Sequence, residues 1–233
     1  MIARAEQAGV ARILTLGTDV ASNRAAIALA EQYALVSAAV GIHPEAVNQA
    51  TRDDLNILRD LAAHPKVVAI GEIGLDYFWD KTNWDVQQEF FEEQLALAVE
   101  LNLPVSIHDR DAHEKIMATL KKFKAVRGVL HSFSGDAAMA HAAIDLRLHI
   151  SFAGPITFLN NKKAPALVQE IPLEKILLET DSPYLAPHPL RGKRNEPANV
   201  RHVAARLAEL KSLDVIEVAA QTTANARALF GFD

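Results

Sequence analysis

Cysteine is absent from this chain, and with it go disulfides, thiolate metal sites and thiol nucleophiles. Any metal has to be held by histidine and carboxylate. Long apolar runs are lacking too. None reaches the ~18 to 20 residues of a membrane span, and the first residues carry no basic segment leading into an apolar one, the mark of a secretory signal. The expectation is a soluble cytoplasmic protein with no membrane partner. Positive charge is in short supply: 24 Lys and Arg face 29 Asp and Glu, for a net charge of -5. That argues against coating nucleic acid with a broad basic surface, yet leaves room for a local patch that grips one phosphate chain. Linkers rich in Pro, Gly or Ser, low-complexity tracts and internal repeats are missing as well. Residues 1–233, half of them hydrophobic, therefore read as one domain with ample material for a core, and nothing in them calls for an obligate protein partner.

What is present is an alternation. Short β-branched and apolar runs occur at Ile13 to Leu16, Val36 to Val40, Val67 to Ile70, Pro104 to Ile107, Gly128 to Leu130, His149 to Phe152 and Ile176 to Leu178, and predict seven strands. Segments of helical period lie between them: Ser22 to Gln32, Arg52 to Ala62, Val86 to Leu101, Ala112 to Phe123, Asp136 to Leu146 and Lys163 to Ile171. Asn199 to Leu210 and Val215 to Leu229 follow the last strand, and Met1 to Ala8 precedes the first. Ser22 and Thr51 read as N-caps. Strands that alternate with helices form βαβ units and a parallel sheet buried on both faces. An open doubly wound sheet and a closed barrel both fit, but the chain opens on a helix before its first strand, as a (β/α)8 TIM-type barrel lacking strand one would.

A barrel gathers functional side chains at the C-terminal ends of its strands. Here Glu72 follows the run Val67 to Ile70, His43 follows Val36 to Val40, His108 ends "LPVSIH", His131 ends "GVLH" and Asp181 ends "ILLETD". Alone, each reads as well as a rim hydrogen bond or a helix cap. Together, carboxylates and neutral imidazoles at one mouth form a site for a hard-to-borderline divalent ion such as Mg, Mn or Zn. Beyond the last strand, "PLRGKRNEP" adds Arg191, Lys193 and Arg194, a cationic loop suited to phosphate. Pro183 and Pro187 stop that strand. Phe133, Tyr77, Trp79 and Trp84 read either as packing or as surfaces on which a base stacks.

The segments "GIHP" (41 to 44), "GEIGLDY" (71 to 77), "SIHDRDA" (106 to 112), "LHSFSG" (130 to 135), "ETDSPYL" (179 to 185) and "RGKRNEP" (191 to 197) resemble the signature segments of the TatD-type metal-dependent deoxyribonucleases. These belong to the amidohydrolase superfamily of (β/α) barrels. The resemblance runs from about Ile13 to the C-terminus. It implies that Glu72 bridges two metals, that His108 and His131 hold the second with it, and that Asp181 binds the first and orients or deprotonates the attacking water. It places His43 and Arg110 near the substrate phosphate. The implied activity is hydrolysis of phosphodiester bonds in DNA, as a 3′ to 5′ exonuclease on single strands, with single-stranded ends as substrate.

In one respect the chain departs from that pattern. Family members begin with a strand ending in a His-x-His pair that binds the first metal, and no such pair occurs here. About 20 or more residues of a first βα unit are thus expected upstream of Met1. The expectation for this chain is at most one well-held metal, at Glu72, His108 and His131, weak or absent nuclease activity, and unpaired strand edges where strand one belongs. Two other readings stay open. One is a small-molecule amidohydrolase or esterase of the same superfamily, which has no need of the cationic loop. The other is a non-catalytic barrel that binds nucleic acid.

Overall fold

All seven apolar runs form strands, and helices connect them. The computed structural model describes residues 1–232. Helix α1 (Ile2–Gln7) leads into β1 (Ile13–Leu16), followed by α2 (Val20–Gln32), β2 (Val36–Val40), α3 (Arg52–Ala62), β3 (Val67–Asp76), α4 (Trp84–Glu100), β4 (Val105–Arg110), α5 (His113–Leu120), β5 (Gly128–Leu130), α6 (Ala137–Asp145), β6 (Leu148–Phe152), α7 (Ala164–Glu170) and β7 (Ile176–Leu178); α8 (Val200–Lys211) and α9 (Val215–Phe230) close the chain. The strands lie in one parallel sheet in sequence order, β1 to β7, curled as in a (β/α) barrel. Among the described residues β1 pairs only with β2 and β7 only with β6, so both edges are unpaired as expected. Among the described residues, no helix is long and apolar enough to cross a membrane.

The two faces of the sheet bury different residues. Between sheet and helices lies the main core, where Phe91, Leu95, Ile107, Ile116, Leu130 and Phe152 are almost wholly buried. Such side chains contribute roughly 1.5 to 3 kcal/mol each. The concave face is lined by Leu14, Leu16, Ala39, Ala69, Val129 and Leu177, and the end of α9 packs Leu229 and Phe230 against them. The Arg127 guanidinium, one residue before β5, donates to the Leu229 carbonyl at 2.8 Å. Helix α9 therefore plugs the N-terminal end of the curled sheet, which leaves the opposite end as the mouth.

Three local expectations need correction. Ser22 does not cap α2. Asp19 does, its carboxylate accepting from the Ser22 backbone N–H at 2.7 Å, while the Ser22 hydroxyl accepts from the Asp19 N–H at 2.9 Å in a reciprocal box. At Thr51 the cap stands, with the Asp54 carboxylate accepting from the Thr51 backbone. Strands β3 and β4 run on past their apolar stretches, to Asp76 and Arg110. Glu72 and His108 consequently sit within strands rather than beyond them. Polar residues continue these strands because the mouth, not a turn, receives their side chains.

Candidate metal centre

A bulge sets the position of Glu72. Ile70 pairs with Val105 and Ile73 with Ile107, so Gly71 and Glu72 together stand opposite the single residue Ser106. The extra residue re-aims the side chain, a common device beside active sites. Gly71 is needed because a Cβ there would lie 2.8 Å from Ser106 Cβ. Gly74 adopts φ +142°, and a Cβ on it would lie 2.0 Å from the His108 carbonyl oxygen; neither position tolerates a side chain. Edge strand β1 adds two anchors past its end: the Gly17 carbonyl accepts from the Glu72 N–H at 3.0 Å, and the Thr18 carbonyl from the His43 N–H at 2.9 Å.

Buried amides hold the other strand ends. Asn23 donates to and accepts from the backbone of Gly41; Gln94 does the same for Ile42 and Gln87 for Asp76. Gln87 and Gln94 lie two turns apart on the face of α4 that packs on the sheet. Their residue type suggests a solvated helix face, so periodicity alone does not reveal them. Asn195, 2% exposed, donates to the carbonyls of Thr180 and Tyr184, both at 2.7 Å. It ties the cationic loop to the segment after β7.

Three imidazoles converge on one carboxylate oxygen. Glu72 Oε1 lies 2.7 Å from His131 Nε2, 3.0 Å from His108 Nδ1 and 3.4 Å from His43 Nε2. These four side chains are 12–17% exposed, so they line a recess that still reaches solvent. The far nitrogens have carboxylate partners that motif reading did not single out. His108 Nε2 lies 3.0 Å from Asp76 Oδ2, and Asp76 is fully buried; His131 Nδ1 lies 3.3 Å from Glu179 Oε1. Both carboxylates fall inside quoted motif segments, and their spacing from Glu72 and Asp181 is the only sequence signal for them. Burial disfavours the charge on Glu72, but the charge of His131 and hydrogen bonds from His108, His131 and His43 outweigh it and hold Glu72 well below the ordinary carboxylate range. Burial likewise disfavours His131 as a cation, yet Glu72 and Glu179 raise it well above the ordinary imidazole value.

These partners assign the tautomers. An ionised carboxylate only accepts, so Asp76 keeps a proton on His108 Nε2 and Glu179 keeps one on His131 Nδ1. The inner nitrogens, His108 Nδ1 and His131 Nε2, are the ones able to exchange a proton for a metal ion, with the outer carboxylates fixing ring and tautomer. His43 is different. Its Nδ1 accepts from the Glu45 N–H at 3.1 Å, which puts the proton on Nε2, the atom facing Glu72. Donor proximity alone groups His43 with Glu72 and His108; the tautomers favour Glu72, His108 and His131 and leave His43 as a hydrogen-bond donor to an anion. One carboxylate and two imidazoles fit a borderline divalent ion.

The remaining candidates lie around this cluster. Asp181 follows β7 in a left-handed conformation, φ 55°. Burial raises its carboxyl to about 6, with Glu179 and Glu72 adding to the rise and His131 and His108 opposing it. No hydrogen bond among the described residues holds that carboxylate. Arg110, at the end of β4, lies over the rings of Phe78 at 4.0 Å and Trp79 at 5.1 Å. Arg191 lies over Phe158 at 4.3 Å, while Lys193 and Arg194 are exposed. Phe133 and Tyr77 pack against the main core, and Tyr77 stacks on Trp84 at 4.1 Å. Trp79 is 62% exposed, and so, at 46%, is Phe78, which sequence reading passed over.

Comparison with known proteins identifies the family. The family model described as TatD related DNase matches residues 1–231. The chain is 47% identical over 232 residues to the uncharacterized metal-dependent hydrolase YabD of Bacillus subtilis, across 99% of this chain and 91% of that protein. It is 38% identical over 239 residues to the 3′-5′ ssDNA/RNA exonuclease TatD of Erwinia amylovora, across 99% and 92%. Among solved structures, YjjV, a TatD homolog from Escherichia coli, superposes with a TM-score of 0.95 at 35% identity, across 99% of this chain and 90% of that one. The chain is a member of the TatD-related DNase family of metal-dependent hydrolases.

Proposed function

We propose that the protein hydrolyses phosphodiester bonds in single-stranded nucleic acid, releasing nucleotides from a 3′ end. The observation that carries this reading is the division of labour among the imidazoles. Two are backed by carboxylates that leave their inner nitrogens free for a metal, and the third presents an N–H to an anion beside them. Arg110 at the end of β4, and Arg191, Lys193 and Arg194 on the loop after β7, add cations where a phosphate chain would run. The name of the Erwinia relative points to the same substrate.

Glu72, His108 and His131 would hold one divalent ion. Such an ion supplies charge neutralisation for a phosphoryl oxygen and a lowered pKa for water. The chain's own groups do the rest. The His43 Nε2–H donates to a non-bridging oxygen and Asp181 takes a proton from the attacking water. The oxygen of water bonds to phosphorus, the ester bond to the oxygen of the shortened strand breaks, and that oxygen takes up a proton from solvent, to which Asp181 returns the one it accepted.

Degradation of an end-labelled single-stranded oligonucleotide with Mg or Mn tests the reading. Asp181→Asn is expected to lower kcat about 10² to 10⁴-fold, the usual range for a general base, with little change in metal content. Metal analysis should find one equivalent per chain. An active Asp181→Asn chain sinks the assigned base and two stoichiometric metals sink the single-ion site; with one ion the unaltered chain is expected to turn over weakly, and no cleavage even on prolonged incubation sinks the nuclease reading.

A further inference from the structure

Among the described residues, every phenylalanine, tyrosine or tryptophan that is exposed lies either between β3 and the first turn of α4 (Phe78, Trp79, Trp84) or just after β7 (Tyr184). Both segments follow the C-terminal ends of strands, so all four belong to the mouth. A soluble chain gains nothing for its core by exposing large rings, and their confinement to the functional end marks an interaction surface. Phe78 and Trp79 are the most built of them. Their rings meet edge to face at 4.8 Å, with the Arg110 guanidinium lying over both. Their backbone N–H groups donate to Asp76 Oδ1 at 2.9 and 3.2 Å. The other oxygen of that carboxylate faces His108, so one buried carboxylate anchors both the aromatic pair and a proposed metal ligand.

We infer that Phe78 and Trp79, with Arg110, form a stacking platform that takes a base of single-stranded nucleic acid next to the phosphate bound at the Glu72 site. The inference rests on the nucleic-acid reading of that site. A flat exposed ring accepts any base, and the guanidinium beside it meets the phosphate chain; together they give affinity without sequence preference. Duplex bases have their faces covered by neighbours, so the platform also favours single strands.

Binding separates stacking from phosphate contact. In an Asp181→Asn background loaded with Mn, fluorescence anisotropy compares a thymidine oligonucleotide with an abasic phosphodiester chain of the same length. The chain with Phe78 and Trp79 intact should bind the base-bearing strand about tenfold or more tightly. Phe78→Ala with Trp79→Ala should erase that preference, leave affinity for the abasic chain in place and leave the melting temperature unmoved, since both side chains are exposed. Trp79→Phe should restore most of it. Equal binding of the two strands by the intact chain, or equal weakening of both in the double variant, overturns the platform. Cleavage by the chain with Asp181 is measured separately, so loss of the hydrolase reading and loss of the platform are distinguishable results.

Discussion

The β3–β5 side of the mouth and the β7 side are built differently. On the first, Glu72 and His108 sit on strands paired on both flanks, and His131 directly follows a third such strand. His108 and His131 each have a carboxylate behind them, and the Asp76 backbone is gripped in turn by the buried Gln87. On the second, Asp181 follows a three-residue strand that pairs only with β6, in a left-handed conformation and with no hydrogen bond to its carboxylate among the described residues. One side is organised in advance, with orientation already secured in folding. The other offers a charge whose position depends on what it meets.

Removing the support sharpens that contrast most. Asp76→Ala takes away the acceptor for the His108 Nε2–H and for the Phe78 and Trp79 N–H groups. Metal affinity, measured by titration calorimetry with Mn, is expected to fall about 10 to 100-fold, as for other carboxylates behind metal-binding histidines. Glu179→Gln should cost less, because its contact with His131 is longer, 3.3 against 3.0 Å, and an amide oxygen still accepts from the ring. If the two variants bind metal as the unaltered chain does, the side described as organised in advance is organised by something else.

The β7 side is probed through its loop. Replacing Arg191, Lys193 and Arg194 together by alanine should weaken oligonucleotide binding and flatten its salt dependence by up to about one unit of slope per lost phosphate contact, with metal affinity unmoved. Arg191 should contribute least to the change, since it already leans on Phe158. An unchanged salt slope would remove the loop from the phosphate path and favour a small-molecule substrate.

How much of this is legible without coordinates follows from the same contrast. Strand order and the cluster are readable because a polar residue after an apolar run stands out, and His43, Glu72, His108, His131 and Asp181 all do. Asp76 and Glu179 do not stand out. A carboxylate beside other polar residues gives no sign of which way it points, and Asp76 faces His108 only because the bulge at Gly71 and Glu72 shifts the alternation of β3 by one residue. The ends of β3 and β4 are missed for a related reason: strands that enter a polar mouth lose the apolar pattern while keeping the hydrogen-bond ladder. Gln87, Gln94 and Asn23 are hidden because their partners are backbone groups, which leave no trace in residue type. Ser22 reads as the cap of α2 but occupies the other half of the box that Asp19 caps. Either residue suits either half, so composition does not separate them.

The smallest effect is expected where β1 meets the mouth. Gly17 and Thr18 anchor Glu72 and His43 through their carbonyls, and the Asp19–Ser22 box that opens α2 fixes the chain just after them. Asp19→Ala should cost about 1 kcal/mol in urea unfolding at neutral pH, the usual worth of an N-cap. The Ser22 backbone N–H, then the Ser22 hydroxyl, pull the Asp19 carboxyl below its ordinary 3.8 in the folded chain. A folded pKa below the unfolded one means that the ionised cap stabilises fully above the ordinary value, less as pH falls between the two, and not at all once pH drops below the folded one. The gap between variant and unaltered chain should therefore narrow on acidification through the region just below pH 4. A gap that stays constant there would mean that the cap acts through the shape of the turn rather than through its charge.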